Sequence, residues 1–484
     1  MSSLPVSSSS QGWSRVQLLK HPWWRSLTLL VLLALSVAIC LLVMGTTPQG
    51  EGLTLTFMHM WMIGFLPYFV GCTFVLITKP ADGHWLWVET GVILVGALIL
   101  RTILVPLPPV SGLSRDSWRY VWDARVTLLG HSPYVLAPGN PLYFQLRDFI
   151  YTHMRFRNVP TIYLPVAQGV FALSYLLAPS NLFALKGLFL VCDMVTCGAL
   201  TWLLARKGLD PRRVILYGWC PLPIIEYALQ GHVDPLTIML TCLSVLCAYS
   251  TRRGARVLTG VLIGLATLTK IYPIVLLVAI PRRRDWALLV ACVVTMVLGY
   301  LPFLILGHGQ VLGFLPTYIR EQGWNAGVVP YLVSWNGAQF GLPLDSIILL
   351  ECAIDLMLLS AVAIVVRVLR LRDRMSMEAA ILLLISTVFA ISSHVFPWYV
   401  PALLPWIALL IRPLWIDNKP SGKGLAIAMA WYFTVVVLLG YVLNNPSGWH
   451  TYYFITYGTV MIGLLAVAAL AVMNRRAASI TRIV

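Results

Sequence analysis

Charge is scarce in this sequence. Only 11% of its 484 residues are Asp, Glu, Lys or Arg, while 59% are hydrophobic. Soluble domains carry about 25% charged and about 45–50% apolar residues. Half the usual charge cannot coat a soluble surface of this size, which excludes a cytosolic enzyme, a secreted disulfide scaffold and a disordered chain. Cysteine is missing from every polar loop. Cys40, Cys72, Cys192, Cys197, Cys220, Cys242, Cys247, Cys292 and Cys352 all lie in apolar stretches and read as small buried hydrophobes, with no CxxC pair to suggest a metal. No cleavable signal peptide is evident, because the first apolar run is too long for one and lacks a small-residue cleavage site after it. Acidic residues are the rarer sign: Lys+Arg 34 against Asp+Glu 18 leaves +16. On a soluble chain that excess would suggest nucleic acid. In a polytopic membrane protein it is first explained by Lys and Arg gathering in cytoplasmic loops, and no nucleic-acid partner is expected.

What the sequence has instead is long apolar runs. A spanning helix needs about 20 mostly apolar residues. Runs that fit lie near 26–44, 57–78, 85–107, 183–205, 214–230, 235–250, 286–306, 345–366, 377–394, 399–414, 425–443 and 451–473. The segment 257–281 has Arg252, Arg253 and Arg256 before it and Arg282, Arg283 and Arg284 after it, and Lys270-Ile271-Tyr272-Pro273 interrupts it. It reads as two short helices in a hairpin of the re-entrant type, tolerated at membrane depth where it faces protein or a polar cavity. The expected fold is therefore all-α: one polytopic unit over 1–484, with about twelve membrane helices plus the hairpin. Tails at 1–25 and 474–484 read as cytoplasmic by their basic residues. Loops at 108–160 and 307–344 read as extracytoplasmic, the first carrying juxtamembrane helices, and 161–179 reads as a shorter helix at the outer interface.

Most of the positive charge falls on the cytoplasmic side, and Arg101, Lys186 and Lys270 lie inside apolar segments. Topology leaves over Arg115, Arg119, Arg125, Arg147, Arg155 and Arg157, all in 108–160. An anionic partner at the membrane surface suits such a cluster. Within it, Asp116, Arg119, Tyr120 and Asp123 are spaced to share one helix face. An interfacial helix with internal salt bridges would account for them structurally. A carboxylate beside guanidinium groups would also serve as a general base next to a bound phosphate.

Farther along, Gln168 opens a helix after Tyr163-Leu164-Pro165, as a structural amide or a sugar contact. His232 and Asp234 sit with Glu226 at the end of a helical pair; a metal is conceivable there, but no standard ligand spacing supports one. Lys270 is an intramembrane cation with no acid nearby in sequence. Trp324 and Asn325 lie in the polar run starting at Arg320, and His394 precedes Val395-Phe396-Pro397-Trp398-Tyr399.

Taken in order, Arg115-Asp116-x-x-Arg119-Tyr120-x-Trp122-Asp123-Ala124-Arg125, Gly130-x-Ser132-Pro133-Tyr134, Tyr163-x-Pro165-x-Ala167-Gln168, Gly231-His232-x-Asp234, Lys270-x-Tyr272-Pro273 and Pro397-Trp398-Tyr399 resemble the C-type (GT-C) membrane glycosyltransferases. The likeness is greatest to bacterial polyprenyl-phosphate-mannose-dependent mannosyltransferases of the family 87 kind, and it covers about 111–400. Ala124 stands where glycine is common, and Leu164 replaces the first proline of a usual Tyr-Pro-Pro. The resemblance implies a polyprenyl-phosphate sugar donor, with mannose expected, and a glycolipid or glycan acceptor. It implies an inverting transfer on the extracytoplasmic face of a bacterial plasma membrane, with no cofactor and no metal. By position Asp116 is the implied base and Asp123 the runner-up, which would otherwise orient Arg119 or Arg125. Arg119, Lys270 and His394 are the implied partners of the phosphate; His232, Asp234 and Asn325 are implied contacts of sugar or acceptor. The alternative is a transporter or flippase for a lipid-linked or anionic substrate, since broken helices and buried charges also mark transporters.

Overall fold

A computed structural model describes residues 23–47, 54–80, 82–318, 326–416, 419–443 and 446–480. The described residues are all-α apart from a two-residue antiparallel pairing of Trp415–Ile416 with Lys419–Pro420. Eight helices are long and apolar enough to cross a membrane: α1 (Trp23–Thr46), α2 (Leu55–Ile77), α3 (His84–Thr102), α6 (Leu182–Arg206), α9 (Trp286–Leu306), α11 (Leu344–Leu371), α14 (Gly422–Val442) and α15 (Gly448–Leu470). Five more are apolar but shorter: α5 (Pro165–Leu177), α7 (Asp234–Ala248), α8 (Ala255–Thr267), α12 (Met377–Ile391) and α13 (Pro397–Leu410). Between them lie α4 (Asp116–Leu128) and α10 (Val328–Gln339). The molecule is a polytopic helical membrane protein. α9 and α11 leave Val290, Val297, Leu349 and Leu356 bare along their flanks, as helices facing lipid do.

Several apolar runs are shorter or more broken than their composition alone implies, and proline is the reason. The run 214–230 is a chain of short pieces around Pro221 and Pro223, ending in a π-helical turn, Ile224–Leu229. The run 399–414 forms α13, which starts at Pro397 and carries Pro401 and Pro405 in its first turns. In α12 the helix stops at Ile391, and Ser392 accepts the chain in an extended conformation. The interruption at Lys270 is present: α8 ends at Thr267, and a 3-10 turn, Tyr272–Val275, starts the second piece. An ion pair joins Arg256 to Asp285, so the two ends of 257–281 meet, as the hairpin reading requires.

Buried charge is compensated within this frame. Arg101 on α3 pairs with Asp193 on α6, which also accepts from Tyr217, and Arg101 donates to the Gly218 carbonyl at 2.5 Å. Arg212 joins Glu89 at 2.5 Å and Asp210 at 2.8 Å. Lys186 donates to the carbonyls of Leu104 (3.3 Å) and Leu107 (2.7 Å). Unpaired, each would be expensive at this depth. The main apolar core runs through the membrane helices, and a second cluster, built from Tyr120, Trp122, Tyr143, Phe171, Phe189 and Val233 among others, lies beneath α4. That second core fixes the position of the site.

Candidate active site

α4 is amphipathic in an unusual way, because its polar face is also buried. Arg119 donates through Nε to Asp123 Oδ1 (2.7 Å) and through its terminal nitrogens to the carbonyls of Phe156 (2.8 Å) and Val159 (3.1 Å). Arg125 reaches Asp148 (2.7 Å), the Leu146 carbonyl (3.0 Å) and Ser180 (3.0 Å). The other Asp123 oxygen accepts from Gln168 Nε2 on α5 at 3.1 Å. Tyr120 stacks on Phe171 with ring centres 4.4 Å apart. Arg119, Asp123, Arg125 and Gln168 thus lock the segment 141–159 and α5 around α4. They hold its first residue, Asp116, in place.

Asp116 is partly buried. Its burial pushes the carboxyl above the ordinary carboxylate range, against the opposing pull of the Lys270 charge, the Tyr163 and Ser114 hydroxyls and the more distant Arg155. Lys270 thus lies within electrostatic reach, although 154 positions separate the two in sequence. Its ammonium is 2.9 Å from Asp234 Oδ1 and sits 3.6 Å from the centre of the Tyr399 ring, a cation–π arrangement. The acid that Lys270 lacks in sequence is supplied by the start of α7.

Gly231 precedes this turn with φ +75°, and a Cβ there would lie 2.9 Å from Lys186 Cγ and 3.3 Å from Ser117 Cβ. Glycine is therefore what lets the His232–Asp234 turn close onto α4. His232 stacks on Trp398 (4.0 Å between ring centres, 10° between planes), and Trp398 stacks on Phe396 at 4.3 Å. Glu226, on the π-helical turn, has one oxygen bonded to Tyr441 (2.9 Å) and the other 3.4 Å from His232 Nε2 without hydrogen-bond geometry. Both ring nitrogens of His232, both amide atoms of Gln230 and Glu226 Oε2 are buried without a hydrogen-bond partner among the described residues. Orphaned buried polar groups are costly unless something polar joins them. No group of three or more His, Cys, Asp or Glu among the described residues could hold a metal ion.

Beside Lys270 opens a cavity of about 820 Å³, within the size range of ligand sites. Tyr163, Lys270, Tyr318, Ser393 and Tyr399 give it a polar end, and Ile274, Val275, Leu359, Val388 and Phe389 give apolar walls from the broken segment, α11 and α12, although Asp345, Glu351 and Asp355 of α11 also line it. His394 lies behind it, stacked on Tyr318 at 4.2 Å, with Nδ1 3.1 Å from Ser393 Oγ. Trp324 and Asn325 lie outside the described residues. Ser114, Gln230, Tyr318 and Tyr441 are contributors that the motifs did not single out. Ser114 and Gln230 each stand directly before one, beside Arg115 and Gly231, and Tyr318 and Tyr441 come from stretches with no distinguishing pattern.

A polytopic helical membrane protein with a polar site opening into an apolar groove defines the class. Residues 162–397 match the model of glycosyltransferase family 87. The match lies in the central part of the chain, is consistent with a GT-C-like fold and supports a glycosyltransferase activity. The matched stretch holds Gln168, His232, Asp234, Lys270 and His394, and begins after α4 and Asp116. No curated protein and no solved structure matches the chain.

Proposed function

We propose that the chain is an inverting glycosyltransferase that moves a sugar, mannose in the first instance, from a polyprenyl-phosphate donor to a hydroxyl of a glycolipid or glycan. The active site then faces the extracytoplasmic side of a bacterial plasma membrane. The observation that carries this reading is the placement of Lys270 at the polar end of an apolar-walled cavity, within electrostatic reach of Asp116. A polyprenyl chain matches the apolar walls, and its phosphate matches the ammonium.

In this reading Asp116 takes the proton of the acceptor hydroxyl as the oxygen attacks the anomeric carbon. The bond from that carbon to the phosphate oxygen breaks, and polyprenyl phosphate leaves with the electron pair. Lys270, held by Asp234 and the Tyr399 ring, offsets the charge that builds on the leaving phosphate. His394 stands one ring behind this end, and His232, Gln230 and Glu226 offer the unpaired polar atoms that sugar hydroxyls require. The Lys270 charge does the work a metal would otherwise do, so transfer is metal-independent.

The test incubates the purified full-length protein with labelled polyprenyl-phosphate mannose, arabinose and glucose, each with and without EDTA. Transfer from the mannosyl donor that survives EDTA, and that Asp116→Asn abolishes while donor binding persists, supports the reading. Full turnover by the Asn variant would remove the base assignment. Transfer from arabinose or glucose alone would change the donor.

A further inference from the structure

A second cavity, of about 710 Å³, opens beside the start of α4. Arg115, Arg155, Arg157 and Asn158 line it with Tyr151 and Phe156, and among the described residues no acidic one does. None of these residues lines the Lys270 groove. Asp116 nonetheless feels a charge from each, that of Lys270 and that of Arg155.

The cavity wall is built rather than loosely exposed. Arg119 reaches out of α4 to hold the carbonyls of Phe156 and Val159. Phe156 adopts φ +56°, a left-handed backbone that a phenylalanine rarely occupies. Arg157 packs over the Tyr151 ring at 5.0 Å and donates to the Thr152 and Met154 carbonyls. Arg155 is exposed, and no hydrogen bond or ion pair holds it among the described residues. Phe156 in its wall, and Leu142, Phe144 and Phe149 in the same segment 141–159, are each at least 60% exposed. Large apolar side chains left bare beside guanidinium groups fit a surface that rests in lipid headgroups with its rings in the acyl boundary. A merely solvated basic face would not need them.

We propose that this cavity seats the anionic, phosphate-bearing headgroup of the lipid that accepts the sugar, and so brings its reacting hydroxyl to Asp116, the chain neighbour of Arg115 in the cavity wall. The proposal rests on the glycosyl-transfer reading for the word "accepts". The headgroup site itself stands on the cavity. Arginine suits phosphate because its planar fork can grip two oxygens at once, and the apolar rim selects a lipid over a free anion.

The experiment measures binding without donor, on the full-length protein in phosphatidylcholine nanodiscs, with dihexanoyl phosphatidylglycerol, dihexanoyl phosphatidylcholine and inorganic phosphate as probes. Phosphatidylglycerol is expected to bind and phosphatidylcholine not. Arg155→Gln is expected to weaken the former about fivefold, the equivalent of ~1 kcal/mol for one partly exposed charge contact. The double variant Arg115→Gln/Arg155→Gln is expected to weaken it further, and raised salt to weaken the wild type. Equal binding of the two lipids, or no change in Arg155→Gln, overturns the proposal. Inorganic phosphate binding as tightly as phosphatidylglycerol overturns the lipid source and leaves only an anion site. Sugar transfer is read separately. Headgroup binding without any transfer would remove the glycosyl-transfer reading alone, whereas transfer with binding indifferent to Arg155 would remove this one alone.

Discussion

Replacing Lys270 by methionine removes two things at once, and the structure allows them to be separated. The first is the partner of Asp234, whose side chain is 2% exposed and sits 2.9 Å from the ammonium. Breaking one side of a buried pair costs about 3–5 kcal/mol, because an uncompensated charge is left behind. The second is the positive charge at the polar end of the groove. Loss of one preorganised group that stabilises developing negative charge lowers turnover by about 10²–10³, or about 2.7–4 kcal/mol. Lys270→Met should therefore lose both thermal stability and turnover. Lys270→Met/Asp234→Asn deletes both charges, and neutralising a whole buried pair is often close to neutral for stability. The double variant should regain the thermal unfolding midpoint in detergent while its turnover stays about 10²–10³ below wild type. A third readout is the pH profile. The Lys270 charge holds the Asp116 carboxyl down, so its removal should move the acid limb of kcat/KM to higher pH. A double variant that recovers both stability and turnover would refute the argument, since Lys270 would then serve only to neutralise Asp234.

Four further outcomes follow from the same geometry. Asp116→Asn should lower turnover by about 10²–10⁴, the range for loss of a general base, with donor retention on a polyprenyl-phosphate column unchanged. In the wild type the base works only when ionised, and burial raises its carboxyl. Activity should therefore rise with pH through a midpoint above the ordinary carboxylate range, and a midpoint within that range would argue for another base. Gly231→Ala meets both a positive φ and a contact of 2.9 Å to Lys186. It should cost about 1–3 kcal/mol of backbone strain, read as a lower unfolding midpoint, and lower activity by displacing His232 and Asp234. Chelation with EDTA should leave transfer within error of the untreated enzyme; loss restored by added divalent cation would contradict the role given to Lys270.

Much of this arrangement could be read from the chain, for identifiable reasons. The helix over 116–128 follows from four polar residues at one-face spacing, and the break at Lys270 follows from Tyr272-Pro273 inside an apolar run. Such signals are local. Features that depend on a distant partner were not legible. For Arg119 and Arg125 the sequence offers an anionic partner or salt bridges within the helix but not their carbonyl partners, because backbone carbonyls at Phe156, Val159 and Leu146 leave no trace in composition. Lys270 has no acid nearby in sequence, yet Asp234, 36 positions away, closes on it once the chain turns at Gly231. Tyr318 joins the groove through Tyr399 and His394 from a loop whose only apparent pattern, Arg320 to Asn325, falls outside the described residues. The short helices α7, α12 and α13 passed for full spans because hydropathy measures apolar length, and prolines and extended serines end a helix without lowering it.

The Arg101–Asp193 pair has a consequence for how the protein is made. Its members are 92 residues apart in sequence, and the whole of 108–160 lies between them. A ribosome adding about 5–20 residues per second needs roughly 5–20 s to cover that distance. For that interval α3 is complete and carries, in its last turn, a guanidinium whose partner does not yet exist, a smaller burden than the about 2.5–3.5 kcal/mol of an arginine at a helix centre. Depth in the bilayer is therefore the last thing α3 can settle. The buried pair closes only when α6 brings Asp193 alongside, and by then the segment that carries Asp116 has already been made.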